Sequence, residues 1–140
     1  EFDMPCMEIT LPKIDTELKQ RLSEALTRDF SESMGFPPDI FGIRFNEYDD
    51  NQASVGGTLI AKDFQERPYI HILFYCPRVS KSVKRKLGEQ VNHSFFRIFE
   101  DSNWSPVIHI CEHPYDNVVV EGKLLSDTYE ECQGEFYYKM

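Results

Sequence analysis

The chain has 140 residues, 41% of them hydrophobic and 14% aromatic, which suits one packed domain and excludes a disordered chain. Its formal net charge of −9 argues against general binding to nucleic-acid phosphates, which needs a basic footprint, and leaves room only for local basic patches. No apolar run approaches the roughly 18–20 residues of a membrane span, and no charged stretch leads into an apolar one as in a signal peptide.

Met7, Ile9 and Leu11 alternate with Cys6, Glu8 and Thr10, the two-residue period of a strand, and Pro12 ends it. Asp15 is placed to cap a helix, because its carboxylate can accept from the orphan N–H groups of a first turn. Ile14, Leu18, Leu22, Leu26, Phe30 and Met34 recur every fourth residue with Ala25 beside them, giving one apolar stripe. Gly35 and Pro37-Pro38 stop that helix. A second strand follows over residues 40–48, with Phe41, Ile43 and Phe45 on one face and Gly42, Arg44, Asn46 and Tyr48 on the other. Residues 49–66 are polar and carry Gly56-Gly57, which predicts a long excursion with a short hairpin.

The plan then repeats. Residues 69–76 read as a strand ended by Pro77. Ser80 is placed to cap a helix with Val83, Leu87, Val91, Phe95 and Ile98 on one face. Trp104-Ser105-Pro106 breaks it, and residues 107–111 form a fourth strand. Lys13 follows Pro12 as Arg78 follows Pro77. Two β–α–β units therefore predict an α/β domain: a four-stranded sheet with both helices on one face. The other face would carry Cys6, Glu8, Thr10, Tyr69, His71, Leu73 and Tyr75, a mixed surface suited to burial against further subunits. One domain covers residues 1–140, with residues 127–140 as an acidic, aromatic tail that packs on a neighbour or stays loose.

Cys6, Cys76, Cys111 and Cys132 form no C-x-x-C pair, and their spacings fit no zinc or haem pattern. Three fall in apolar runs, where free cysteine acts as a small hydrophobe; reduced thiols in a cytoplasmic compartment are expected. The sequons at Asn92 and Asn103 matter only in a secreted chain, and the first falls inside a predicted helix. His109, Cys111 and His113 alternate along one strand face and could approach a metal, but strand histidines with ordinary hydrogen bonds are the preferred reading, as for His71. No metal or cofactor is expected.

The duplicated unit and the early Met4-Pro5 resemble the tautomerase superfamily, which includes 4-oxalocrotonate tautomerase, macrophage migration inhibitory factor and cis-3-chloroacrylic acid dehalogenase. The resemblance runs from residue 4 to about residue 126. Residues 36–57 keep its Pro37, Glu47 and Gly56-Gly57 spacing. Phe45-Asn46-Glu47 with Asn51, and Glu112-His113-Pro114 followed by Glu121-Gly122-Lys123-Leu124-Leu125, are more similar to the dehalogenase branch. Asn117-Val118 is similar to a turn of migration inhibitory factor.

The resemblance implies a homotrimer and a catalytic N-terminal proline, here Pro5 once Met4 is removed. A free α-amine has a reference pKa near 7.7–8, and apolar burial or a nearby cation lowers it toward that of a working general base. Residues 1–3 read as a cloning remnant; if they are native, Pro5 is an amide without a basic nitrogen and only starts a strand. Arg78 stands where the dehalogenase branch keeps a carboxylate-binding arginine, a role suited to a guanidinium fork. The alternative is a solvated cation in the run of Arg78, Lys81, Lys84, Arg85 and Lys86. Lys13, Arg44, His109 and Asn117 are secondary pocket candidates; Tyr48, Tyr75 and Tyr115 could line a small polar-rimmed pocket with Asn117, and each of these four could equally be core or interface.

The rest of that branch's machinery is replaced: its second arginine aligns with Tyr75, its helix histidine with Phe30, its tyrosine with His109 and its water-activating glutamate with Val120. The lysine that migration inhibitory factor keeps before its Pro-Pro pair is Phe36 here. One base and one cation remain, enough for keto–enol proton shuttling on a small 2-keto or enol carboxylate. The second function these residues allow is a non-catalytic binding or signalling protein on the same scaffold.

Overall fold

The computed structural model describes residues 5–128, so the expectations for Met4, for Cys132 and for most of the tail lie outside the described residues. Four strands form the main sheet: β1 (Cys6–Pro12), β2 (Gly42–Tyr48), β5 (His71–Cys76) and β6 (Val107–Glu112), in the order β2-β1-β5-β6. Two hairpins of minimal length lie outside it, β3 (Ser54–Val55) with β4 (Thr58–Leu59) and β7 (Val119–Val120) with β8 (Lys123–Leu124). The helices are α1 (Thr16–Met34) and α2 (Lys81–Phe99). β1 is parallel to β2 and β5 to β6, while β1 and β5 meet antiparallel at the centre. The four strands, the two capped helices and the Gly56-Gly57 hairpin are those the periodicity predicts.

The local causes are visible at each helix end. The Asp15 carboxylate accepts the Leu18 N–H at 2.8 Å, and the Ser80 hydroxyl accepts the Val83 N–H at 3.3 Å. Gly35 closes α1 in the left-handed region at φ 77°, where a side chain would be strained, and gives its N–H to the Ser31 carbonyl. α2 closes the same way on Glu100 at φ 52°.

One face of the sheet is dry. Met7, Ile9, Leu11, Ile72, Phe74 and Cys76 point onto Leu22, Leu26 and Phe30 of α1 and onto Leu87, Val91 and Phe95 of α2. Phe30, Phe74 and Phe95 are fully buried, each burial contributing about 1.5–3 kcal/mol. Phe30 stacks on Phe41 at 4.4 Å between ring centres. Between the helices, Ser94 donates its hydroxyl to the Asp29 carboxylate at 2.6 Å. The opposite sheet face is uncovered in the single chain, and its residues, Glu8, Arg44, Leu73 and His109 among them, are half-buried or exposed. Among the described residues no helix is long and apolar enough to cross a membrane.

The duplication is tighter than the sequence suggested. Asp29 and Ser94 are 65 residues apart. The same spacing carries Pro12-Lys13 onto Pro77-Arg78, Asp15 onto Ser80 and Gly35 onto Glu100. It also carries the Gly56-Gly57 turn onto Glu121-Gly122, both turns having two consecutive positive φ values. The second hairpin, which the periodicity did not predict, is thus the repeat of the first. Leu125 donates its N–H to Val118, repeating the Ile60 to Ala53 bond.

Candidate active site

Pairing direction decides what shares an end of the sheet. Because β1 is antiparallel to β5, Cys6 lies beside Tyr75, so Pro5 enters the sheet where β5 leaves it for Pro77-Arg78. Pro5 is buried, and its carbonyl accepts the Gly42 N–H at 3.3 Å. β6 ends at the same place, with Glu112 beside Cys76, and the helical turn Tyr115–Asn117 follows it. Pro5, Arg78 and Asn117 therefore gather at one end of the sheet.

The loop that carries Arg78 is held on both sides. The Cys76 carbonyl accepts the His113 N–H at 2.9 Å. The Glu112 carboxylate accepts the Val79 N–H at 2.9 Å, and its other oxygen meets the Lys84 ammonium at 3.2 Å. Tyr75 lies beside this loop with its ring stacked on His113, centres 5.7 Å apart. Loss of hydration, with Glu8 and the thiols of Cys111 and Cys6 nearby, pushes the Tyr75 phenol above its usual range and keeps it protonated. Burial, with Glu112 nearby, pushes the Cys76 thiol up to about 12, so it is an inert core group and no nucleophile.

The other candidates lie elsewhere in the chain. Lys13 sits at the opposite end, beyond the finish of β1, so within one chain it does not join Pro5. Arg44 pairs across from Glu8 on the open face, its guanidinium donating to Asn46 at 3.3 Å. His109 lies opposite Leu73 on the same face and shares a 2.6 Å hydrogen bond with His71. Burial and the neighbouring His109 hold His71 below the usual histidine range. His109 is thus engaged with His71 and His113 with Tyr75, and among the described residues no cluster of three or more His, Cys, Asp or Glu could hold a metal. Tyr48 is buried, its hydroxyl donating to the Tyr69 carbonyl at 2.8 Å, and it lines the Lys13 end.

That end holds a cavity of about 580 Å³, with Lys13, Tyr48, Ile60, Phe64 and Trp104 in its wall. Where the repeat would require a counterpart of Pro5 it has Ile70, a buried residue without a basic nitrogen. The sequence also gave no warning of the Glu112 bonds; their only linear signal was a carboxylate at the end of each unit's second strand.

No protein-family model matches the chain, and no curated protein matches it. Its likeness is in three dimensions. A fused 4-OT structure superposes with a TM-score of 0.77 at 18% identity, covering 88% of this chain and 98% of that one. A second fused 4-OT, described as an asymmetric trimer, gives 0.74 at 19% identity over 87% and 97%. The protein N1, a member of the cis-3-chloroacrylic acid dehalogenase family, gives 0.69 at 18% identity over 85% and 82%. The chain has the tautomerase-superfamily fold.

Proposed function

We propose that this chain is a cofactor-free tautomerase acting on a small 2-keto or enol carboxylate, with Pro5 as its base. The observation that carries this reading is the convergence of Pro5 and Arg78 at one end of a tautomerase-type sheet. With Met4 removed, the Pro5 nitrogen is a secondary amine at a buried position. Burial disfavours its ammonium form and leaves a base near neutral pH. The amine takes a proton from the enol hydroxyl or the carbon beside the ketone and returns it at the other site. Arg78 pairs both carboxylate oxygens and fixes the substrate's orientation. Asn117 borders the same end as a polar contact. Tyr75, protonated at neutral pH, can donate a hydrogen bond there.

The open sheet face and the trimeric 4-OT relative support a homotrimer, and we place the protein in the cytoplasm with neither nucleic acid nor membrane as partner. In a trimer Arg44, His109 and Lys13 would reach a Pro5 site only by meeting a neighbouring subunit. The second reading, a binding protein without catalysis, is favoured by one fact: as the sequence stands, Met4 acylates the Pro5 nitrogen. Ketonisation of phenylenolpyruvate by a chain beginning at Pro5 tests the first reading. Turnover well above the spontaneous rate supports it; 2-keto acid binding without turnover supports the second.

A further inference from the structure

We infer that Glu112 is the positioning residue for Arg78, and that it also takes the neighbouring Lys84 out of competition for the substrate's carboxylate. The inference rests on the proposed role of Arg78. Arg78 stands between Pro77, whose ring fixes φ, and Val79, whose N–H is bound by the Glu112 carboxylate at 2.9 Å. Val79 is itself buried, so the backbone on that side is fixed twice. An arginine clamp is effective only when its fork is presented at one angle, and a 1 Å misplacement is costly. The other Glu112 oxygen lies 3.2 Å from the Lys84 ammonium. Lys84 belongs to the first turn of α2, beside Lys81, Arg85 and Lys86, with no acid of its own in that turn. Unpaired, it would offer a second cation beside the site.

The internal repeat supplies the control. Glu47 binds the Ile14 N–H at 2.7 Å and the Lys19 ammonium at 2.7 Å, the same brace at the Lys13 end. Glu47 lies 33 residues beyond Ile14, as Glu112 lies 33 beyond Val79. One brace holds a loop at the end with Pro5, the other a loop at the end with Ile70. A purely architectural brace would matter equally at both; a positioning brace affects substrate only at Glu112.

The test measures phenylpyruvate binding by calorimetry and, for a chain beginning at Pro5, enol ketonisation. The Glu112→Ala/Lys84→Met pair should weaken binding and raise KM about tenfold with kcat within about twofold, as expected when uniform binding is lost. Lys84→Met alone, which keeps the Glu112 bond to Val79, should stay within about threefold of the parent. Glu112→Gln, whose amide oxygen still accepts the Val79 N–H, should recover most of the loss when combined with Lys84→Met, whereas Glu112→Gln alone, which leaves Lys84 unpaired, should recover less. Adding Arg78→Ala to the pair should cost no more than Arg78→Ala alone, since the two act through one contact. Glu47→Ala should lower the Tm comparably and leave binding unchanged. If Arg78→Ala weakens binding and the Glu112 pair does not, or if Glu47→Ala weakens it equally, the inference is overturned. If Arg78→Ala itself leaves binding unchanged, the Arg78 clamp is wrong and the inference fails with it.

Discussion

The two halves of this molecule are the same piece of architecture carrying different chemistry. Each runs strand, proline, cation, capped helix, strand and two-residue hairpin, and each fixes its cation loop with a strand-end glutamate. Their sequences differ at most positions, and three of the differences matter here. Pro5 corresponds to Ile70, Arg78 to Lys13, and the helix-closing Gly35 to Glu100. Antiparallel pairing of β1 with β5 places the two loops at opposite ends of the sheet. The frame occurs twice, while a proline that could supply an N-terminal secondary amine stands at one end only. The Lys13 end keeps a cavity and a cation and lacks the base.

The comparison breaks hardest in the core. Phe30 and Phe95 are equivalent and both fully buried. Phe30, however, packs against Phe36, Phe41 and Phe74, whereas Phe95 has a ring contact with Phe99. Truncation to alanine should cost about 3–5 kcal/mol at Phe30 and fall at the lower end of that range at Phe95, as read from urea denaturation.

The helix ends give a smaller effect of opposite sign. Glu100 holds φ 52°, a conformation costing an ordinary residue about 1–2 kcal/mol. Glu100→Gly should raise stability by about 1 kcal/mol, and Gly35→Ala should lower it by a similar amount. Thermal unfolding of the two variants checks both; stabilisation by Gly35→Ala would contradict the equivalence.

Two carboxylates should bend the pH profile in opposite senses. Burial holds Asp29 above its ordinary 3.8, despite the Ser94 hydroxyl and the nearby Arg28 charge. The folded chain then keeps a proton that the unfolded chain has released, so this contribution is present below pH 3.8 and lost as pH rises through the native value. Burial pushes Glu47 up as well, but the Lys19 hydrogen bond, the Ile14 N–H and the charges of Lys19 and Lys13 outweigh it and hold the carboxyl below 4.5. Its contribution is present above pH 4.5 and lost as pH falls through the native value. Asp29→Asn should flatten the loss of stability on the rising side, and Glu47→Gln the loss on the falling side, in denaturation followed from pH 3 to 7.

Much of the frame was legible because its causes are local. Alternation of Met7, Ile9 and Leu11, the caps at Asp15 and Ser80, and the Gly56-Gly57 turn each act within a few residues. The second hairpin was harder to see, since Glu121 takes the place of a glycine at a positive φ. The site was legible in part. Strand pairing carries Pro5, Arg78 and Asn117 to the same end of the sheet, but which cation shares that end with Pro5 depends on how β1 and β5 pair, and both orders satisfy the same periodicity. For Tyr48 the sequence left pocket, core and interface open, because its hydrogen-bond partner, the Tyr69 carbonyl, is 21 residues away. The Glu47 and Glu112 braces join residues 33 apart and leave no periodic trace.

On the proposed mechanism, a free Pro5 amine distinguishes one end of the molecule from the other. This distinction is tested most directly by comparing two chains, one beginning at Pro5 and one retaining Met4, in the ketonisation of phenylenolpyruvate. The chain beginning at Pro5 should be faster by about 10²–10⁴-fold, the usual worth of a positioned base, with the other near the spontaneous rate. Equal rates from the two chains would contradict the Pro5 mechanism: if both are fast another group transfers the proton, and if both stay at the spontaneous rate the binding-protein reading holds.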